Sequence, residues 1–130
     1  MMSFLTVLVT MLSIDGIWLL LMKDSYSKSL GHLMAKEANL IAAISFYLLY
    51  TVGVMVFLIN PQLKNKDTFE IFQRAFLFGV IAYSTYDLTN LATLKNWPIG
   101  LTLVDIFWGG VMTSLTVLIS MVIIKYFKFV

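Results

Sequence analysis

Cysteine is absent from the 130 residues, which removes disulfides, thiolate nucleophiles, iron–sulfur clusters and cysteine-based zinc sites together. Histidine occurs once, at His32, so no site built on two imidazoles is available. Charge is scarce as well. Only 12% of residues are Asp, Glu, Lys or Arg, about half the usual soluble share, and the net charge of +2 is too small and scattered for nucleic acid. Carboxylates, phenols, hydroxyls, amides and a few lysines remain for chemistry. No cofactor and no resident metal is expected from this inventory.

What is abundant is apolar surface. The chain is 60% hydrophobic with a mean hydropathy of +0.90. At this length it forms one domain, and a soluble core of that size cannot hide so much of it. Lipid has to be the solvent. The chain reads as all-α, an integral membrane four-helix bundle with spans at about 4–22, 40–59, 72–94 and 101–124. Each is about 20 residues, enough to cross a ~30 Å hydrocarbon core. Asn60-Pro61 stops the second span, and Pro98 and Gly100 punctuate the turn before the fourth. No Lys or Arg precedes the first apolar run and no small-residue cleavage site follows it, so it is expected to be a retained helix.

Four spans put both termini on one face, side A. Lys64, Lys66, Arg74, Lys125 and Lys128 lie there, against Lys23, Lys28, Lys36 and Lys95 on side B. The excess favours side A, with both termini, as cytoplasmic, although so even a balance also suits a dual-topology protein. The first loop, Ser25 to Asn39, places Tyr26, Leu30, Leu33 and Met34 three to four residues apart. This predicts either a short helix on the side-B interface or a linker packed over the bundle.

Asp15, Asp87 and Asp105 all fall inside predicted spans. A carboxylate at the centre of a spanning helix costs ~2.5–3.5 kcal/mol on insertion scales, so each needs a partner, a proton or water. The helical rise puts Asp15 roughly 16 Å and Asp87 roughly 20 Å from side A, and Asp105 about one turn inside side B. All three therefore share the side-B half. Tyr83, Tyr86, Asp87 and Asn90 share one face of the third span, while Tyr47 and Tyr50 match the depth of Asp15. Trp18 lies one turn from Asp15 and Trp108 one turn from Asp105, giving Asp-x-x-Trp twice. Antiparallel helices are expected to put the two tryptophans on opposite sides of the aspartate layer. The candidate site is thus Asp15, Asp87, Asp105, Tyr47, Tyr83, Tyr86, Asn90, Trp18 and Trp108.

Plain packing explains many single residues. Tyrosine and hydroxyl side chains bridge membrane helices routinely, at ~0.6 kcal/mol a bond. Gly109-x-x-x-Thr113 and Gly110-x-x-x-Ser114 read as close helix contacts, within the chain or across a homodimer. Trp97, Tyr126 and Tyr26 read as interfacial anchors, and Lys64, Lys66, Lys125 and Lys128 as headgroup contacts. A helix N-terminus alone can stabilise Asp105.

The stretches SIDGIWLLLM, FYLLYTVGVMVFLINP, YSTYDLTNLATLKNWP and LVDIFWGG resemble a family of small bacterial membrane proteins, domain of unknown function 2177. They run from the first span to the fourth. The resemblance implies a four-helix bundle, set in the inner membrane if the source is bacterial, and it assigns no activity to any residue.

Three functions compete. The aspartates and aromatics suit proton-linked binding or transport of a small amphiphilic or cationic molecule. Asp with Tyr also suits an intramembrane enzyme acting on a lipid or isoprenoid by acid–base chemistry. A non-catalytic subunit needs the polar layer only for packing. Expected partners are membrane lipids, the amphiphile and a second copy of the chain. Ligand binding lost on Asp15→Asn or Asp87→Asn, turnover in detergent, and co-purification with a larger protein separate the three.

Overall fold

The computed structural model describes residues 1–129, and every regular element in them is helical. Four long helices follow in order: α1 (Met2–Leu30), α2 (Leu40–Val54), α3 (Thr68–Thr93) and α4 (Ile99–Phe127). Asn39 opens α2 by accepting from the Ala42 N–H at 3.1 Å. Asp67 opens α3 by accepting from Phe69 and Glu70, which satisfies N–H groups a helix start leaves unpaired. Helix α2 does not stop cleanly at its end. Pro61 has no N–H to give and crowds the preceding turn. The chain widens into a π-helical turn over Met55–Ile59, the Asn60 N–H reaching back to Met55, then tightens into a 3-10 turn over Asn60–Gln62.

The expected separate interfacial helix in the first loop is not present. Helix α1 runs unbroken from Met2 to Leu30, because nothing between Met22 and Leu30 is a proline or glycine. Tyr26 and Leu30 are therefore its last turns.

Three stretches, Met2–Leu30, Leu40–Gln62 and Ile99–Phe127, are long and apolar enough to cross a membrane. Helix α3 matches them in length but is more polar. Its exposed Thr85 and Thr93 hydroxyls donate to carbonyls one turn back, Ile81 and Thr89, at 2.8 Å, and Thr89 bonds to Thr85 in the same way. Hydroxyls satisfied by their own helix can face lipid at little cost.

Helix α4 is the central element, with α3 and α1 packed along it and α2 leaning on α1. The fit of α3 to α4 depends on glycine. A Cβ on Gly79 would meet the Gly109 carbonyl, and one on Gly109 would meet the Tyr83 ring. Gly109 and Gly110 are thus buried against α3 of the same chain, so they are not the contact through which a second copy would attach. The apolar core, including Val7, Met11, Val54, Ile59, Ala75 and Ile124, gathers in the half of the bundle holding both termini. In this half α2 and the π-helical turn that follows it reach α3, through Tyr50 and Phe78, 5.7 Å apart, and through Phe57 and Phe78, 6.3 Å apart. Beyond Tyr50 the two helices separate, and the other half is hollow.

Candidate functional site

The hollow half holds a partly open cavity of about 470 Å3. Asp15, Asp87 and Asp105 all line it, one from each of α1, α3 and α4, and each is buried. No Lys, Arg or His is among the lining residues. Trp18, Tyr26, Tyr50, Tyr83, Trp97 and Trp108 supply much of the wall, so all three tryptophans of the chain face this space. Phe46 on α2 and Tyr86 on α3 stand at its edge, both more than two-fifths exposed, where the two helices part. Helices α2 and α3 scarcely touch, so this is the side on which the wall is least closed.

Asp15 is held from two sides. Tyr47 donates to Oδ2 at 2.5 Å and Trp108 Nε1 donates to Oδ1 at 3.1 Å. Asp105 Oδ1 accepts from the Tyr26 hydroxyl at 3.0 Å, and that hydroxyl accepts from Trp18 Nε1 at 2.9 Å. Between these two carboxylates the Trp18 and Trp108 rings stack, with centroids 4.3 Å apart and planes within 5°. The two Asp-x-x-Trp units interlock head to tail, each aspartate bonded directly or through Tyr26 to the other helix's tryptophan. The tryptophans therefore do not flank the aspartate layer, as antiparallel spacing suggested. They meet inside it, because Asp15 lies deeper than Asp105 and each tryptophan is one turn from its own aspartate in the direction of the other.

Asp87 adjoins this lattice without sharing its hydrogen bonds. It is 1% exposed, its carboxyl adjoins that of Asp105, and its Oδ2 has no hydrogen-bond partner. Trp97 Nε1, beside it, is likewise unpartnered. Charged oxygens are seldom buried bare, since the loss of hydration has to be made good by a proton, a cation or a donor.

Of the expected residues, Asp15, Asp87, Asp105, Trp18, Trp108, Tyr83 and Tyr86 line the cavity. Tyr47 stands behind Asp15 without facing the space, and Asn90 is not part of the wall. Tyr26 and Trp97, expected as interfacial anchors, belong to the site. The continuation of α1 brings Tyr26 two turns above Trp18 on the same face. Trp97 is folded inward by the tight α3–α4 turn, in which Asn96 takes a left-handed φ of 60°. It is 8% exposed and stands edge-on to Tyr86 at 5.7 Å. Tyr50 bonds to Thr113 Oγ1 at 2.8 Å and forms the floor.

Compared with known proteins, residues 1–122 match a family described as predicted membrane protein (DUF2177). No curated protein and no solved structure matches the chain.

Proposed function

The chain belongs to the predicted membrane protein family DUF2177, and from that premise we propose that it binds a small amphiphilic cation inside the bilayer in exchange for a proton. The observation that carries this reading is the charge of the cavity: three buried carboxyls and no basic residue among its lining. Its volume of about 470 Å3 lies in the range of ligand pockets, ~300–1,000 Å3. Aromatic faces attract an organic cation, and the effect strengthens where water is excluded. The Asp87–Asp105 pair, with one bare oxygen, is where a proton and the ligand's positive charge exchange. The gap between α2 and α3 lets an amphiphile enter from the membrane with its tail still in lipid. On this reading α3 is the fourth span, its polar side facing the cavity, and transport follows when the same site is exposed alternately to the two sides.

Because all three tryptophans line the cavity, their fluorescence reports occupancy directly. Purified protein in a neutral maltoside detergent, titrated with dodecyltrimethylammonium in weakly buffered solution, is expected to show saturable quenching with release of one proton per site. Asp87→Asn should abolish the proton release and weaken binding at least tenfold. Quenching that is linear in detergent concentration, or unchanged in Asp87→Asn, overturns the proposal.

A further inference from the structure

At the other end of the bundle a groove of about 560 Å3 lies between the end of α2 and the end of α4. Lys64, Lys125 and Lys128 line it above an apolar floor of Leu63 and the fully buried Ile124. The backbone brings the three together by two distinct turns. After the π-helical and 3-10 turns, Pro61 leads the chain to Lys64 over the end of α4. Helix α4 ends with Lys128 in a left-handed conformation (φ 54°), and the Phe129 N–H bonds back to the Ile124 carbonyl at 3.0 Å. This closing turn satisfies terminal carbonyls of α4, and Ser3 ties the Phe129 carbonyl to α1 at 3.3 Å.

Among the described residues, three like charges are thus gathered in one groove without a counter-charge. None of these lysines forms an ion pair among the described residues. The nearest acidic groups in sequence are engaged elsewhere: Asp67 caps α3, and Glu70 pairs with Arg74 at 3.0 Å and accepts from Asn65 at 3.1 Å. The groove lies where two spans end, at headgroup depth. It is too large for a bare inorganic anion, and its floor is apolar. We propose that it is a binding site for the phosphate of an anionic glycerophospholipid in the leaflet that meets both termini. Ammonium groups hold the phosphodiester, and Leu63 takes the glycerol end of the chains. Anionic lipid is concentrated in the cytoplasmic leaflet, so an occupied groove also orients the termini to the cytoplasm. This site is independent of the cation cavity.

The test is native mass spectrometry of the purified protein in neutral detergent, titrated with dihexanoyl-phosphatidylglycerol, its phosphatidylcholine counterpart, and inorganic phosphate as competitor. One phosphatidylglycerol per chain is expected to bind in preference to phosphatidylcholine, and millimolar phosphate should not displace it. A basic residue near a charged surface contributes roughly fivefold, so replacing Lys64, Lys125 and Lys128 together by Gln should weaken binding on the order of 100-fold. The matched variant at the opposite end of the bundle, Lys23, Lys28 and Lys36 all to Gln, loses the same charge and should bind as the parent does. If the triple groove variant does not fold, Lys125→Gln alone should lose about fivefold. Equal loss in both triple variants, equal binding of phosphatidylcholine, or displacement by phosphate overturns the proposal.

Discussion

Replacing Gly79 by alanine should damage this protein more than the same change at Gly110 or Gly16. The added Cβ would lie 2.6 Å from the carbonyl carbon of Gly109, nearer still to its oxygen, and 2.7 Å from Thr113 Oγ1. Ordinary contact begins at 3.4 Å, so α3 and α4 must separate by about 0.8 Å or more. The obstacle is helical backbone, which cannot rotate aside. Overpacking of this kind costs about 1–3 kcal/mol, and here the upper end applies. A Cβ on Gly110 meets only the outer edge of the Phe76 ring, at 2.8–3.0 Å, and that half-buried ring can swing. The expected cost is about 1 kcal/mol. Gly16, with nothing within 4 Å, is the control. Alanine there should stabilise the helix by about 0.5–1 kcal/mol, the usual difference within a helix. Reversible unfolding by SDS in mixed micelles measures all three. Because α3 carries Asp87 and α4 carries Asp105, Gly79→Ala should also open the carboxyl pair and weaken cation binding. A Gly79→Ala protein as stable as the parent, or less impaired than Gly110→Ala, refutes the close α3–α4 fit.

Three further outcomes follow from the site. Tyr47→Phe removes the 2.5 Å bond to Asp15 and leaves Trp108 as its donor, so stability should fall by about 1–2 kcal/mol; a double-mutant cycle with Asp15→Asn should recover at least half as coupling. The parallel Trp18–Trp108 pair should give an exciton couplet in the circular dichroism spectrum that Trp18→Phe abolishes and Trp97→Phe leaves in place. Ser27→Pro lies in the last turns of α1, where an interior proline costs about 3 kcal/mol. It should displace Tyr26 from Asp105 and weaken cation binding while leaving most of the far-ultraviolet helix signal, whereas a helix ending at Met22 would not register the change.

The four helices could be read from the sequence because lipid imposes a simple rule: about 20 apolar residues, then punctuation. Asn60-Pro61 and Pro98 gave that punctuation reliably, and α3 and α4 begin and end within a few residues of expectation. Lys23-Asp24 misled. Charge at a span end marks the edge of the hydrocarbon, not the end of the helix, and α1 simply continues into the interface as far as Leu30. The π-helical turn at Met55–Ile59 was not legible either, since it reflects how α2 accommodates Pro61 while packing on its neighbours rather than any local residue preference.

The extent of α1 also governs which site residues the sequence reveals. Depth along a helix follows from the 1.5 Å rise, so three aspartates from three helices could be placed in one half of the membrane from sequence alone. Facing direction depends on neighbours and on where each helix truly ends. With α1 extended, residues 15, 18, 22 and 26 fall on one stripe, and Tyr26 becomes as predictable as Trp18. Trp97 needed the left-handed turn at Asn96, which no periodicity announces. Helix α3 draws these points together. It is the most polar of the four because one side lines the cavity through Tyr83, Tyr86 and Asp87, while its outer threonines bond back to their own carbonyls. A helix that only packed would have no reason to carry a 1%-exposed carboxyl with a bare oxygen into an aromatic hollow. Packing accounts for the glycines, the threonines and Tyr50, and Asp87 is the residue at which a ligand reading and a purely structural one part.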